Sequence, residues 1–397
     1  MNLKPEPSTT TEKARRRIIV HRLIKWGCYT LYLAALLELV LQIFYFVGNR
    51  SLLFRRHAVP IYRTDEHMGF GVKRNLEFHH VTGEFDIMLY TNEDGFRTSA
   101  SREKHELPKP SSKFRVLLMG PSFAFGWGVN HEATVAHLLQ NRLVDTRLTG
   151  GREIEVINAG VPAIPLPNQL NWFEQIGRSY APDLVVQLIY GGMWTGDLHV
   201  LNTSRVDEEG YLRRSNARWR DVLISKAKNF ATVYYGWVVW NQWHANSYTP
   251  AETSPAGTGR ELVQTKNFDP SQATTQRALR YYSRLKTITE ASNARLLVVH
   301  FPLSYVVHPA DIHRWSHLGV RNITEQVAAN EAFCTHLRSQ EIDCLNLTKD
   351  LQEAAAHSDE RLYYWLDIHW TPAGNRLVAD LIARHLTRMS ALRSAPE

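Results

Sequence analysis

Residues 114–129 read FRVLLMGPSFAFGWGV. The stretch opens as an apolar run, Val116-Leu117-Leu118-Met119, breaks at Gly120-Pro121 and presents Ser122. A short apolar run closed by a turn signal suits a buried parallel strand. Ser122 then sits at the strand's C-terminal end, on the turn leading to a helix expected near Glu132. In open α/β sheets, ligands bind outside the carboxyl ends of the strands, so the position suits a nucleophile. A Ser that caps a helix or closes a turn fits this stretch as well.

The same alternation continues to the C-terminus. Expected strands are 114–120, 153–159, 183–190 (DLVVQLIY), 294–301 (ARLLVVHF) and 343–347. Expected helices are 132–143, 167–180, 270–293, 325–340 and 374–388. Strands alternating with helices specify an α/β domain, a flavodoxin-like doubly wound parallel sheet, here over 114–391. Residues 198–269 interrupt the pattern. Within them, 220–243 is helix-like and rich in Phe, Tyr and Trp, and suits a lid, a glycan-stacking wall, a membrane-contacting patch or an ordinary packed helix. Upstream, 49–113 reads as a connector with a small β subdomain. It contains a strand at 85–90 and a turn at Asn92-Glu93-Asp94-Gly95.

Composition is globular, with 44% hydrophobic and 21% charged residues and a net charge of +7. Much of that charge clusters at Lys13, Arg15, Arg16, Arg17, Arg22 and Lys25. The stretch 26–47, WGCYTLYLAALLELVLQIFYFV, follows at once. About 22 helical residues span the roughly 30 Å hydrocarbon core. Residues 26–48 are therefore read as a transmembrane signal anchor and 1–25 as a basic cytoplasmic tail. The positive-inside rule puts the remainder across the membrane, in the periplasm or its equivalent. A cleaved signal peptide fits less well, because the apolar stretch is too long and no small-residue cleavage site follows. Glu38 lies inside the span. It is either tolerated as a protonated acid or marks a membrane partner.

Cys334 and Cys344 lie near a helix end and the next strand's start. In an exported domain they are candidates for a disulfide, and otherwise for two buried thiols. With Cys28 they make no zinc pattern. His79 and His80 are adjacent and point oppositely on a strand, so no metal is expected. The glycines at 126–128 lack the Walker and dinucleotide patterns, so no cofactor and no nucleic acid are expected.

Near the C-terminus, 365–376 reads WLDIHWTPAGNR. Asp367 and His369 lie just before a Pro and Gly that open the last helix. In a loop both side chains can project to one edge, where His369 takes a proton from Ser122 and Asp367 orients the imidazole. A surface loop with a capping Asp is the plainer alternative.

Together these blocks resemble the SGNH/GDSL hydrolases over residues 60–390, most closely the membrane-anchored branch associated with bacterial exopolysaccharide genes. The N-x-x-G-F-R element is Asn92 to Arg97, and the first block appears as Gly120-Pro121-Ser122, continued by Phe123 to Val129. The second is Asn158-Ala159-Gly160-Val161-Pro162, and the last is Asp367-Ile368-His369-Trp370. The resemblance implies a Ser122–His369–Asp367 triad and an oxyanion site at the Gly160 and Ser122 N–H groups. Two departures stand out. Pro121 replaces the family's Asp, and Gly192 takes the place of the third block's oxyanion Asn, a donor type worth on the order of 10²–10³ in rate. Gly191, Gly192 and Ser122 are the backbone donors able to substitute. Trp127, Trp194 and Trp370 are candidates to line the substrate. The implied function is a periplasm-facing serine esterase or O-acyltransferase acting on envelope or exported polysaccharide. The alternative is a catalytically impaired glycan-binding or assembly factor of the same fold.

Overall fold

A computed structural model describes residues 9–49, 52–53, 59–99, 103–144, 146–191, 204–214, 219–246, 268–311, 323–365 and 367–393. They group into two units, residues 1–57 with 218–239, and residues 58–217 with 240–397.

The first unit is built on α1 (Thr9–Asn49), a single helix. It runs through the basic cluster instead of beginning at the apolar stretch, because 9–25 contains no Gly or Pro to interrupt it. Its section Arg15–Gly48 is long and apolar enough to cross a membrane and is almost entirely exposed. The same unit holds most of the expected aromatic helix. The structure divides 220–243 at Lys228-Asn229-Phe230, into a shorter and a longer helix described below.

The second unit opens with small antiparallel sheets. Strands β1 (Tyr62–Asp65) and β2 (Gly69–Val72) form a hairpin. Strands β3 (Glu77–Val81), β4 (Asp86–Thr91) and β5 (Arg97–Thr98) form a three-stranded sheet in that order. The Asn92–Arg97 element has a structural task here. The Asn92 Oδ1 accepts from the N–H groups of Asp94 and Phe96, and Gly95 takes φ +91°. That left-handed conformation suits Gly. Phe96 is buried on Trp172 and Tyr180. Arg97, 2% exposed, donates to the carbonyls of Met88 and Val129, tying this sheet to the loop after Ser122.

The main sheet contains β6 (Lys113–Met119), β7 (Glu153–Asn158), β8 (Leu184–Tyr190), β11 (Arg295–Phe301) and β12 (Asp343–Asn346). The short pair β9 (Ser204–Val206) and β10 (Leu212–Arg214) stands apart from it. All main-sheet pairings are parallel, in the order β12-β11-β8-β6-β7. Counted within the sheet this is 2-1-3-4-5, the flavodoxin-like order, and its switch point lies between β6 and β8. Alternate residues of the apolar runs supply opposite faces. Leu117, Met119, Val185 and Ile189 enter one core, and Val116, Leu118, Leu184 and Val186 enter the other.

Helices cover both faces. The second unit's helices begin with α2 (Ser122–Phe125), α3 (Val135–Leu143) and α4 (Leu166–Gln175), whereas α5 (Trp219–Ala227) and α6 (Ala231–Asn246) of the interrupting stretch fall wholly and mostly in the first unit. The second unit continues with α7 (Ala273–Ala291), α8 (Ser304–Val307), α9 (Ile323–Ser339), α10 (Thr348–Ala356) and α11 (Pro372–Arg393). The inner stripe of α11 is Val378, Ala379, Ile382 and Leu386, all fully buried. Each large aliphatic there contributes roughly 1.5–3 kcal/mol on burial.

Cys334 on α9 and Cys344 on β12 form a disulfide, with Cα atoms 5.3 Å apart. The separation is 10 residues, for which chain entropy gives about 2–3 kcal/mol. Urea denaturation with and without reductant is expected to differ by that amount, and the difference should vanish in a Cys334→Ser/Cys344→Ser variant.

Candidate active site

Ser122 is placed by the strand that precedes it. β6 ends at Met119, and a short helix, α2, begins at Ser122 itself, ahead of the helix expected near Glu132, which is α3. Pro121 is extended (φ −76°) and forms the N-cap, a role that needs no N–H. The carbonyl of Pro121 accepts from the N–H groups of Ala124 and Phe125. The Ser122 hydroxyl is thus held at the switch point beside β8, half-buried.

His369 arrives from the far end of the chain. Its Nε2 lies 2.5 Å from Ser122 Oγ, and its Nδ1 meets Asp367 Oδ1. The same Asp367 oxygen accepts from the His369 backbone N–H at 2.9 Å. Burial opposes ionisation of Asp367, but the His369 charge and these hydrogen bonds outweigh it and hold the carboxyl below its usual range. The structure therefore brings Ser122, His369 and Asp367 into one hydrogen-bonded chain.

Several residues that sequence reading passed over hold that chain. Glu84, on the β3–β4 turn, accepts from the backbone N–H groups of Trp365 (2.5 Å) and Asp367 (2.7 Å). The Tyr364 hydroxyl donates to the Gly128 carbonyl at 2.6 Å, linking the Asp–His loop to the loop after α2. Phe123 packs on the His369 ring at 4.6 Å between centroids. His80, read only as a failed metal pair, points inward and meets Trp127 at 4.8 Å and Phe85 at 4.9 Å. Burial lowers its pKa to about 4, so it stays neutral beside His369 at ordinary pH. His79 points the other way, to Asp86.

The candidate oxyanion donors differ among themselves. The Ser122 N–H is the first amide of α2, a position without an intrahelical acceptor. The Gly160 N–H is engaged by the Asn158 side chain at 3.1 Å, so a substrate oxygen has to share or displace that acceptor. The Gly191 N–H is committed to the Phe301 carbonyl at 3.0 Å and is no donor for the site. Gly192 and Trp194 lie outside the described residues. Trp127 stands 5.9 Å from the His369 ring and keeps its place at the site. Trp370 does not. It is 1% exposed and packs on Phe301 and Phe123 at 4.3 and 4.8 Å, so it is a core residue and not a substrate wall. Among the described residues no cluster of His, Cys, Asp or Glu suits a metal ion. A hollow of about 400 Å³ lined by Gln276, Arg280, His336 and Gln340 shares no residue with this site.

Gly160 is required by space. A Cβ there would stand 2.3 Å from the Phe125 nitrogen and 2.6 Å from the Ala124 carbonyl carbon. Both are backbone atoms of α2, so the helix carrying Ser122 would have to move. Gly160→Ala is expected to destabilise the domain by about 1–3 kcal/mol, as overpacking does. It should also slow any reaction at Ser122 at least tenfold (about 1.4 kcal/mol in barrier). Thermal melts run beside initial rates check both effects.

Residues 258–397 match the family model of the SGNH hydrolase-like domain of the acetyltransferase AlgX. The matched residues include Asp367 and His369; Ser122 lies upstream of them. No curated protein matches the chain. Among solved structures it is similar to a two-domain esterase (CEX) active on acetylated mannans, with 14% identity and a TM-score of 0.36 over 72% of this chain. The chain spans about half of that esterase's length, 51%. It is similar to a lipolytic G-D-S-L family member from Veillonella parvula, with 10% identity and a TM-score of 0.35 over 69% of this chain and 99% of the other. It is also similar to a catalytic mutant of Axe2, an acetylxylan esterase from Geobacillus stearothermophilus, with 10% identity and a TM-score of 0.35, covering 69% and 94%.

Proposed function

We propose that the SGNH-like domain is a serine ester hydrolase or O-acyltransferase. The observation that carries this reading is the chain Ser122 Oγ–His369 Nε2, at 2.5 Å, with Asp367 on the opposite ring nitrogen. Ser122 attacks the acyl carbonyl while His369 takes its proton. Asp367 holds the imidazole in the tautomer that leaves Nε2 free to accept, and stabilises the imidazolium. The tetrahedral oxyanion is held by the Ser122 N–H, with the Gly160 N–H turning from Asn158 toward it. His369 returns the proton to the departing alcohol, leaving an acyl ester on Ser122. Water, deprotonated by His369, then gives the free acid, whereas a sugar hydroxyl gives the transferred ester.

The substrate class we propose is O-acylated envelope or exported polysaccharide. The match to a domain described as an acetyltransferase supports acyl groups as the cargo. We read α1 over 26–48 as a signal anchor and 1–25 as its cytoplasmic end, with the SGNH-like domain periplasmic. The basic residues ahead of the apolar stretch support this orientation. The Cys334–Cys344 disulfide supports an oxidising compartment for the domain. The test follows release of acetate from acetylated xylan, and transfer from an activated acetyl donor to deacetylated xylan, by wild type and by Ser122→Ala. Either reaction lost in the variant supports the proposal. Neither reaction above background in wild type overturns it and favours the non-catalytic glycan binder.

A further inference from the structure

Glu38 has a defined task in the first unit. It lies well inside the apolar section of α1, where an isolated carboxylate is costly. Its Oε1 accepts from the Ala231 backbone N–H at 2.6 Å and from the Gln42 side chain at 2.8 Å. Its Oε2 accepts from the Thr232 backbone N–H at 3.0 Å and the Thr232 hydroxyl at 2.9 Å. Ala231 and Thr232 are the first residues of α6. Glu38 therefore caps that helix from outside its own chain segment, where the free N–H groups and the helix dipole favour a negative charge. Gln42 also donates to the Asn229 carbonyl at 2.9 Å, in the turn between α5 and α6.

The contact continues along both helices. Tyr45 meets Tyr234 at 5.7 Å and Phe44 meets Tyr235 at 5.9 Å, while Tyr45, Leu53 and Ala231 form a small buried cluster. The outer faces are bare and largely apolar, with Arg220 and Lys226 of α5 also exposed. Trp219, Leu223, Ile224, Phe230, Val233 and Val239 are each 43–74% exposed. Glu38 lies about 13 Å of helix from Val47, at 1.5 Å per residue. A segment bonded to Glu38 and Gln42 shares their depth. We infer that α5 and the first half of α6 enter the bilayer beside α1 as a helical hairpin, its turn at the depth of Glu38, with acyl chains covering its apolar face. This rests on the reading of α1 as a membrane span. Lipid covers this face, because it continues the bare apolar surface of α1, itself exposed almost throughout. Charge at the turn is accommodated. Lys228 lies over the Trp237 ring at 3.7 Å, so its stem runs along α6 away from the turn, as a snorkelling side chain does. Lys226 is exposed beside it and has the same length of stem.

The test uses the full chain in phosphatidylcholine–phosphatidylglycerol nanodiscs, on a Cys28→Ser background. Single cysteines at Phe230, Leu37 and Glu209 carry an environment-sensitive fluorophore. Quenching by nitroxides on lipid acyl chains is compared with quenching by a soluble nitroxide. The expected result is that Phe230→Cys and Leu37→Cys are quenched several-fold more by the lipid nitroxide, and Glu209→Cys by the soluble one. Glu38→Ala should shift the Phe230 probe toward the soluble quencher while leaving Leu37 unchanged. Glu38→Gln, which keeps an acceptor, should preserve most of the lipid quenching. A Leu37 probe in lipid with a Phe230 probe in water overturns the hairpin and leaves the anchor standing. Both probes in water overturn the anchor reading, and the hairpin with it.

Discussion

Ser122→Ala is expected to lower ester hydrolysis by about 10³–10⁴-fold while leaving the fold intact. Where a full triad operates, loss of the nucleophile costs on the order of 10⁶ in kcat. Absence of one side-chain oxyanion donor lowers the wild-type ceiling by about 10²–10³. The difference between these two figures is the expected loss. Ser122 is half-buried at the first position of α2, and its hydroxyl is bonded to His369. Removing that oxygen opens no cavity in the apolar core, so circular dichroism and melting temperature should hold. Asp367→Asn should follow with a loss of similar size, because an amide in that place favours the wrong imidazole tautomer, a change worth about 10⁴ in the best-studied triad. A Ser122→Ala variant that keeps wild-type rates would sink the assignment. So would a loss of activity accompanied by unfolding, which would make Ser122 a structural residue.

The second large effect is on stability. Arg115 lies in β6, an inner strand of the main sheet, and is fully buried. Its Nη1 donates to the Tyr180 carbonyl at 2.6 Å and its Nη2 to the Glu106 carbonyl at 3.0 Å, while its Nε pairs with Glu155 of β7. Removing the partner of a buried charge costs about 3–5 kcal/mol. Glu155→Ala should therefore be among the most destabilising single changes in the domain, and Glu155→Gln, which keeps an acceptor, milder. Urea unfolding at neutral pH measures both.

The same pair sets an acid limit. Burial opposes ionisation of Glu155, but hydrogen bonds from His105 and Arg115 and the Arg115 charge bring it down from 4.5 to about 2. A carboxylate depressed in the folded state contributes fully above its unfolded pKa, and the contribution is lost as pH falls through the folded value. The shift corresponds to about 3 kcal/mol, lost between about pH 4.5 and pH 2. Wild type should lose that increment on acidification across the window, and Glu155→Gln should lose less. Parallel pH profiles would contradict the account.

The main sheet was legible because parallel strands buried on both faces leave nearly continuous apolar runs, and 116–119, 184–189 (broken only by Gln187) and 297–301 (broken only by His300) are such runs. The Asp-x-His block was legible because two polar side chains before a Pro–Gly helix start have few structural uses. Support of the site was not legible. Glu84 holds the loop through backbone N–H groups, a bond that leaves no mark at either partner's position in the sequence. His80 reads as a polar neighbour of His79 until the β3 pleat turns it toward Trp127. Trp370 follows the catalytic-type His as a substrate-stacking residue would, and only packing on Phe301 tells the two uses apart. The same holds for Glu38. An acid within an apolar helix signals a partner, but the partner stands almost two hundred positions away in the chain, at Ala231 and Thr232.

The most direct measurement of the central claim is covalent labelling with a fluorophosphonate, followed by peptide mass mapping. An activated Ser122 should form the phosphonyl adduct, with the added mass on the peptide containing residues 116–129. Asp367→Asn and His369→Ala should slow labelling strongly without altering the melting curve, and acetylated xylan should protect the site. Absence of any adduct, or an adduct on another serine at a rate indifferent to His369, would contradict a nucleophilic Ser122.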